Sequence, residues 1–273
     1  VERRELGASG LSVSVLALGS WRTWQWIPRA DAVATLRAAR EAGIDFLDSA
    51  RYHDAAGESE IVFGEILRAS GWPRDEVTIA NKLWWEFWPD QTVSEEIDAS
   101  LRRTGLDHFD LIYSDPPPTE LGIYEVVNEV TNLLWAGKAR AWAVVNWPAE
   151  WIAEARELAA PEPCAAQLPY NLVQRSPVED EDMIEALGPM SVVASFVLAG
   201  GALTGKYPGP GRLSGELENP RYAAALREAA RLRESGVDPT AAAIGFAARA
   251  PRVASVLVGA TSPGQLRELA IHV

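Results

Sequence analysis

Short runs of β-branched and apolar residues alternate along the chain with longer stretches whose apolar positions recur every three to four residues. VLALG (15–19), IDFLD (44–48), VTIANK (77–82), FDLIYS (109–114), ARAWAVV (139–145), CAAQ (164–167), SVVAS (191–195) and ASVLVG (254–259) read as strands. DAVATLRAAREAG (31–43), SEIVFGEILRA (59–69), VSEEIDASLRRTG (93–105) and PAEWIAEARELAA (148–160) read as helices, and further helices are expected near 122–136, 179–187, 220–234, 239–249 and 262–270. Their ends carry stop and start signals. Gly43 and Gly105 close two of them, Arg102 and Arg103 sit in a last turn, and Pro148 opens a first turn.

Strand–helix alternation implies a parallel sheet, and eight such units in 273 residues imply an α/β fold of the (β/α)8 TIM-barrel type. The opening RRELGASGLSVSVL reads as an added N-terminal β-hairpin with a Gly-Ala-Ser-Gly turn. No Pro/Ser-rich linker divides the chain, so residues 1–273 are expected to form one barrel domain. The Gly- and Pro-rich stretch 205–222 reads as a long loop on the barrel face, of a kind that is often functional.

Composition narrows the partners. A net charge of −13 argues against nucleic acid and against an acidic membrane surface. No apolar run reaches the ~20 residues a bilayer span needs. The single cysteine, Cys164, allows no intrachain disulfide, and three scattered histidines give no metal cluster. VERRELGASG carries no apolar signal-like run, so a cytoplasmic location is expected. Oligomeric state is not legible.

In such a barrel the site lies at the C-terminal ends of the strands. The residues that end the apolar runs are Asp48, then Asn81 and Lys82, then Ser114 and Asp115, then Asn146 and Gln167. The seventh run enters the glycine loop LAGGALTGKY (198–207), and the eighth ends in Gly259, Ala260, Thr261 and Ser262. Any one of these is an ordinary turn former or cap. Their convergence on one face is what a purely structural role does not require. The glycines do not form a Gly-x-Gly-x-x-Gly fingerprint, so phosphate binding would fall to the loop's backbone amides and the start of the last helix. Nine of the eleven tryptophans fall in three groups, Trp21, Trp24 and Trp26, Trp84, Trp85 and Trp88, and Trp142, Trp147 and Trp151, associated with the first, third and fifth strands. Aromatics ordinarily fill cores, but Trp21, Trp24, Trp85 and Trp88 are candidates to line a pocket for a large or aromatic carbonyl compound or a sugar ring.

RRELGASGLSVSVLALGS, LDSA…GESEIVFGEIL, TIANK, FDLIYSDPPP, GKARAWAVVNWPAE, QLPYNLVQR, LAGGALTGKY and VLVGATSPGQLREL occur in order over essentially the whole chain. Together they resemble the successive motifs of the aldo-keto reductase superfamily. The resemblance implies an NADP(H)-dependent oxidoreductase acting on a small-molecule carbonyl or alcohol, with NADPH/NADP+ as cofactor and NADH possible. It assigns the family's catalytic aspartate and lysine to Asp48 and Lys82, and the nicotinamide carboxamide to Asn146 and Gln167. Ser195, Phe196, Leu198, Gly200, Lys206 and Gly259 fall in the cofactor-binding stretches. Thr261, Ser262, Gln265 and Glu268 fall where the adenosine end is held, with Arg267 and Ser262 as candidates for a 2′-phosphate.

The resemblance breaks at the proton-transfer positions. Counted forward from Asp48 without a gap, the family's tyrosine falls on His53; placing Tyr52 there needs a deletion and a compensating insertion before Ser59. The family's histidine is Asp115, its stacking aromatic is Ser195, and the asparagine after Glu268 is Leu269. One expectation is a His53–Asp115 pair in which the carboxylate raises the imidazole pKa and His53 donates the proton. The other is Tyr52 as donor after a local loop shift. Two further classes stay open. Potassium-channel β subunits share the resemblance, which allows a cofactor-binding redox sensor or regulatory subunit. A non-redox lyase or isomerase on the same barrel is the third.

Overall fold

In the computed structural model, which describes residues 1–52, 54–207, 213 and 215–273, the chain opens with the expected hairpin. β1 (Arg3–Glu5) and β2 (Ser12–Ser14) pair antiparallel with Arg4 opposite Val13. Eight parallel strands follow in chain order: β3 (Leu16–Gly19), β4 (Phe46–Asp48), β5 (Thr78–Leu83), β6 (Phe109–Ser114), β7 (Ala139–Val145), β8 (Ala165–Pro169), β9 (Ser191–Ser195) and β10 (Val253–Val258). β10 closes on β3, with Leu257 opposite Ala17, and completes the barrel.

The described helices are α1 (Arg29–Glu41), α2 (Glu58–Ser70), α3 (Val93–Thr104), α4 (Ile123–Trp135), α5 (Ala149–Leu158), α6 (Ser176–Glu179), α7 (Glu181–Leu187), α8 (Pro220–Glu234), α9 (Pro239–Arg249) and α10 (Pro263–Ala270). The helix expected near 179–187 is α7, preceded by the short α6. Asp180 adopts an extended backbone (φ −66°, ψ 138°) between α6 and α7 and breaks the helical path. α3 begins with a capping box. Thr92 Oγ1 accepts from the Glu95 N–H at 3.2 Å, and the Glu95 carboxylate accepts from the Thr92 N–H at 2.9 Å. No described helix is long and apolar enough to cross a membrane.

Side chains alternate along each strand, one into the barrel and the next onto the helices. Ala17, Phe46, Ala80, Leu111, Tyr113, Ala141, Ala143, Ala165 and Val193 belong to the interior cluster. Leu16, Leu18, Leu47, Ile79, Ile112 and Val144 pack in the larger helix-facing layer. Leu6, Leu11 and Val13 of the hairpin segment join the interior cluster and plug the lower end. Gly7 makes that plug possible: its φ is +54°, and a Cβ there would sit 2.1 Å from the Cys164 carbonyl oxygen. The same two-residue step, continued upward, carries Asp48, Lys82, Tyr113, Gln167 and Ser195 inward at the upper end.

Candidate active site

Asp48 ends β4 and Lys82 lies one strand over on β5; both are buried, and Lys82 Nζ donates to Asp48 Oδ1. The other carboxylate oxygen, Oδ2, accepts from Gln167 Nε2 at 2.7 Å. Lys82 Nζ also lies 5.3 Å from the centroid of the Tyr113 ring, which floors the site. Burial and the neighbouring charge of Asp48 hold the Tyr113 phenol far above its ordinary pKa, so it stays neutral. Asn81, which shares the strand end, points away from this group. Its Nδ2 donates to the buried Glu60 of α2 at 2.9 Å, a packing role.

Tyr52 lies within electrostatic reach of Asp48. Its ring meets Trp21 edge-on at 5.3 Å and Trp84 edge-on at 4.4 Å. Burial, then the charges of Asp115 and Asp48, push its phenol well above the ordinary value. Asp115 follows β6 and is half-buried. Burial raises its carboxyl to about 6, with Lys82 pulling it down and Glu96 pushing it up. Tyr52, Asp48, Lys82 and Asp115 therefore form one electrostatically coupled group. His53, and with it the expected His53–Asp115 pair, lies outside the described residues.

The tryptophans divide. Trp21 flanks Tyr52. Trp24 does not line a pocket: it is 1% exposed and stacks on Phe63 of α2 at 5.5 Å, so it fills the layer between barrel and helix. Trp85 is also buried. Its indole N–H donates to Ser114 Oγ at 3.2 Å and the Asp115 carbonyl at 3.1 Å, which fastens the loop after β5 to the end of β6. Trp88 is half-buried against the core. Trp84, not singled out from the sequence, takes the place beside Tyr52.

Every described non-glycine residue with positive φ lies on this face. Arg22 (+52°) follows β3, Trp85 (+59°) follows β5, Asn146 (+57°) ends β7, and Phe196 (+54°) and Ala199 (+48°) follow β9. Left-handed backbone is unfavourable for side chains with a Cβ, and such strain gathers at functional sites. Asn146 tolerates it best, and its side chain is exposed at the mouth.

The cofactor candidates lie around the ends of β7 to β10. Gly200 and Gly201 have φ of +67° and +107°. Lys206 and Arg221 flank this loop, and among the described residues neither is in an ion pair; their cations sit over the Tyr207 ring at 5.5 Å and the Phe196 ring at 4.7 Å. Two cations without an ion-pair partner among the described residues, beside a left-handed glycine turn in a chain of net charge −13, are a donor set that fits the phosphates of a dinucleotide. At the far end the expected groups serve one another. Ser262 Oγ accepts from the Gln265 N–H at 3.3 Å, and Gln265 Oε1 accepts from Thr261 N–H and Oγ1 at 2.9 and 3.1 Å. This is a helix cap. It leaves Gln265 Nε2, exposed Glu268 and Gly259 on the surface, while Arg267 pairs loosely with Glu41 at 3.4 Å. Leu198 and Ser195 are half-buried at the turn.

Arg51, Trp84, Glu96 and Arg221 were missed from the sequence. An arginine or glutamate on a loop or helix face reads as solvated, and only the folded contacts single these out.

The fold and this group define a (β/α)8 barrel whose strand ends carry a buried lysine–aspartate pair. Residues 15–271 match the Aldo/keto reductase family, and the chain belongs to that family. It is 31% identical, over 98% of this chain and 90% of the relative, to a "Probable voltage-gated potassium channel subunit beta" of Oryza sativa subsp. japonica. A protein of the same description from Arabidopsis thaliana is 30% identical over the same shares. A "Putative voltage-gated potassium channel subunit beta" of Schizosaccharomyces pombe is 30% identical over 97% of this chain and 86% of the relative.

Proposed function

We propose that the protein is an NADP(H)-linked oxidoreductase that interconverts a small carbonyl compound and its alcohol, with Tyr52 as the proton donor. The observation that supports this most is the buried Lys82–Asp48 pair within electrostatic reach of Tyr52, with Asp115 coupled to both. Asn146, Ser195, the Gly200–Gly201 turn, Lys206 and Arg221 would hold a reduced nicotinamide dinucleotide, which would supply the hydride when bound. Tyr52 delivers the proton to the carbonyl oxygen as the C–O double bond becomes a C–OH bond. Gln167 holds Asp48, and Asp48 holds Lys82.

Asp115 takes the position where the family resemblance expects a histidine. When ionised it opposes loss of the Tyr52 proton, because it would put two negative charges side by side. When protonated it removes that obstacle and becomes a hydrogen-bond donor to the carbonyl oxygen. Catalysis therefore runs on the neutral acid. Trp21, Trp84 and Trp88 suit a large or aromatic substrate. The test is oxidation of NADPH in the presence of an aromatic aldehyde by wild type and Tyr52→Phe: turnover in the first and its loss in the second support the reading.

The names of the relatives favour a second reading, a cofactor-binding subunit that acts on a channel partner. It expects tight NADPH binding with no aldehyde-dependent oxidation, and the same assay separates the two.

A further inference from the structure

The side chain of Arg51, the residue before Tyr52, is 2% exposed. Arginine is seldom buried so completely unless paired. Its two terminal nitrogens meet carboxylates: Nη1 that of Glu86, and Nη2 that of Glu96 at 3.2 Å. Its guanidinium carbon lies 5.5 Å from the centroid of the Trp84 ring. That same indole meets Tyr52 edge-on at 4.4 Å. Glu96 is itself buried, and its Oε1 also accepts the Trp84 backbone N–H at 2.7 Å. The capping box at Thr92 and Glu95 fixes the turn of α3 from which Glu96 projects. One buried carboxylate thus fastens the loop after β4 and the loop after β5.

Packing alone does not account for this. A buried ion pair usually adds little stability over apolar residues of the same volume, because both charges must be desolvated. What it adds is direction: a two-pronged guanidinium admits few orientations. We propose that Arg51 and Glu96 are a positioning pair that holds Tyr52 against Trp84. This rests on the reading of Tyr52 as proton donor and deepens it, since it names what sets that donor's geometry.

Glu96 has a second effect. The charged groups facing Asp115 are Lys82 of β5, itself neutralised by Asp48 of β4, and Glu96 of α3, with the neutral phenol of Tyr52 alongside. Burial raises the Asp115 carboxyl, and the Glu96 charge adds to it. Glu96 therefore both positions the donor and favours the neutral acid.

The experiment labels the six tyrosines with 3-fluorotyrosine and follows the Tyr52 fluorine resonance, assigned with Tyr52→Phe. Arg51→Met is expected to shift or broaden that resonance and leave the others in place. In the same variant kcat falls on the order of 100-fold with KM nearly unchanged, the signature of a misplaced group. Arg51→Lys, which keeps the charge but not the fork, gives intermediate values in both readouts. Glu96→Gln moves the loss of activity with rising pH to lower pH. An unmoved Tyr52 resonance in Arg51→Met overturns the proposal whatever the turnover. Should that variant not fold, an unmoved resonance in Arg51→Lys overturns it. If the wild type reduces no carbonyl compound, the redox reading fails, and the fluorine measurement alone decides the positioning role.

Discussion

Gln167 reaches across the barrel and donates its side-chain amide to Asp48 Oδ2 at 2.7 Å. β8 and β4 are four places apart in a ring of eight strands, so this bond spans the barrel's full width. It closes the interior above the alanine-rich layers and leaves Asp48 with both oxygens engaged, one by Gln167 and one by Lys82. Gln167→Leu should leave a buried carboxylate oxygen unsatisfied and cost about 1–3 kcal/mol of stability, measurable by urea unfolding.

Lys82→Met should cost more, about 3–5 kcal/mol, because it strands a buried charge on Asp48. The double variant Lys82→Met, Asp48→Asn should recover a large part of that loss. A thermodynamic cycle with no coupling between the two would show that the pair is not formed.

Asp115 links activity and stability to pH. Its carboxyl is raised to about 6 from an ordinary 3.8, chiefly by burial. Carbonyl reduction should therefore increase as pH falls through that value. Asp115→Asn, a neutral donor at every pH, should keep turnover and flatten the profile. For stability the sign follows from a folded value above the unfolded one. The contribution is whole below the unfolded carboxylate range and is lost as pH rises through about 6. Asp115→Asn should thus gain on the order of 1–2 kcal/mol near pH 7.5, after allowance for partial exposure, and almost nothing near pH 4. Equal shifts at both pH values would contradict the assignment.

Much of this was legible in the sequence because it depends on local pattern. The runs FDLIYS, ARAWAVV and SVVAS are β6, β7 and β9 to the residue, and the two-residue step that makes them strands also aims Lys82 and Gln167 inward. What was not legible depends on contacts between segments far apart in sequence. Trp24 looked like a pocket residue because its tryptophan group follows a strand end on the polar face; only its burial and stacking on Phe63 show that it is core. Arg51 was not singled out, since its partners Glu86 and Glu96 lie 35 and 45 residues away. That Thr261, Ser262 and Gln265 also hydrogen-bond one another to cap α10 was not legible either.

Lys206→Ala and Arg221→Ala should each weaken NADPH binding roughly tenfold, the size of one charge-assisted hydrogen bond. Tryptophan fluorescence quenching reports it, and added salt should narrow the difference. Unchanged affinity in both variants would move the phosphates elsewhere.

The most direct test of the central claim is single-turnover NADPH oxidation with an aromatic aldehyde, compared between wild type and Tyr52→Phe. The account predicts turnover by the wild type and a loss on the order of 100-fold to 10,000-fold in Tyr52→Phe with NADPH affinity unchanged. Undiminished turnover in Tyr52→Phe, or none in the wild type despite saturable NADPH binding, would contradict it.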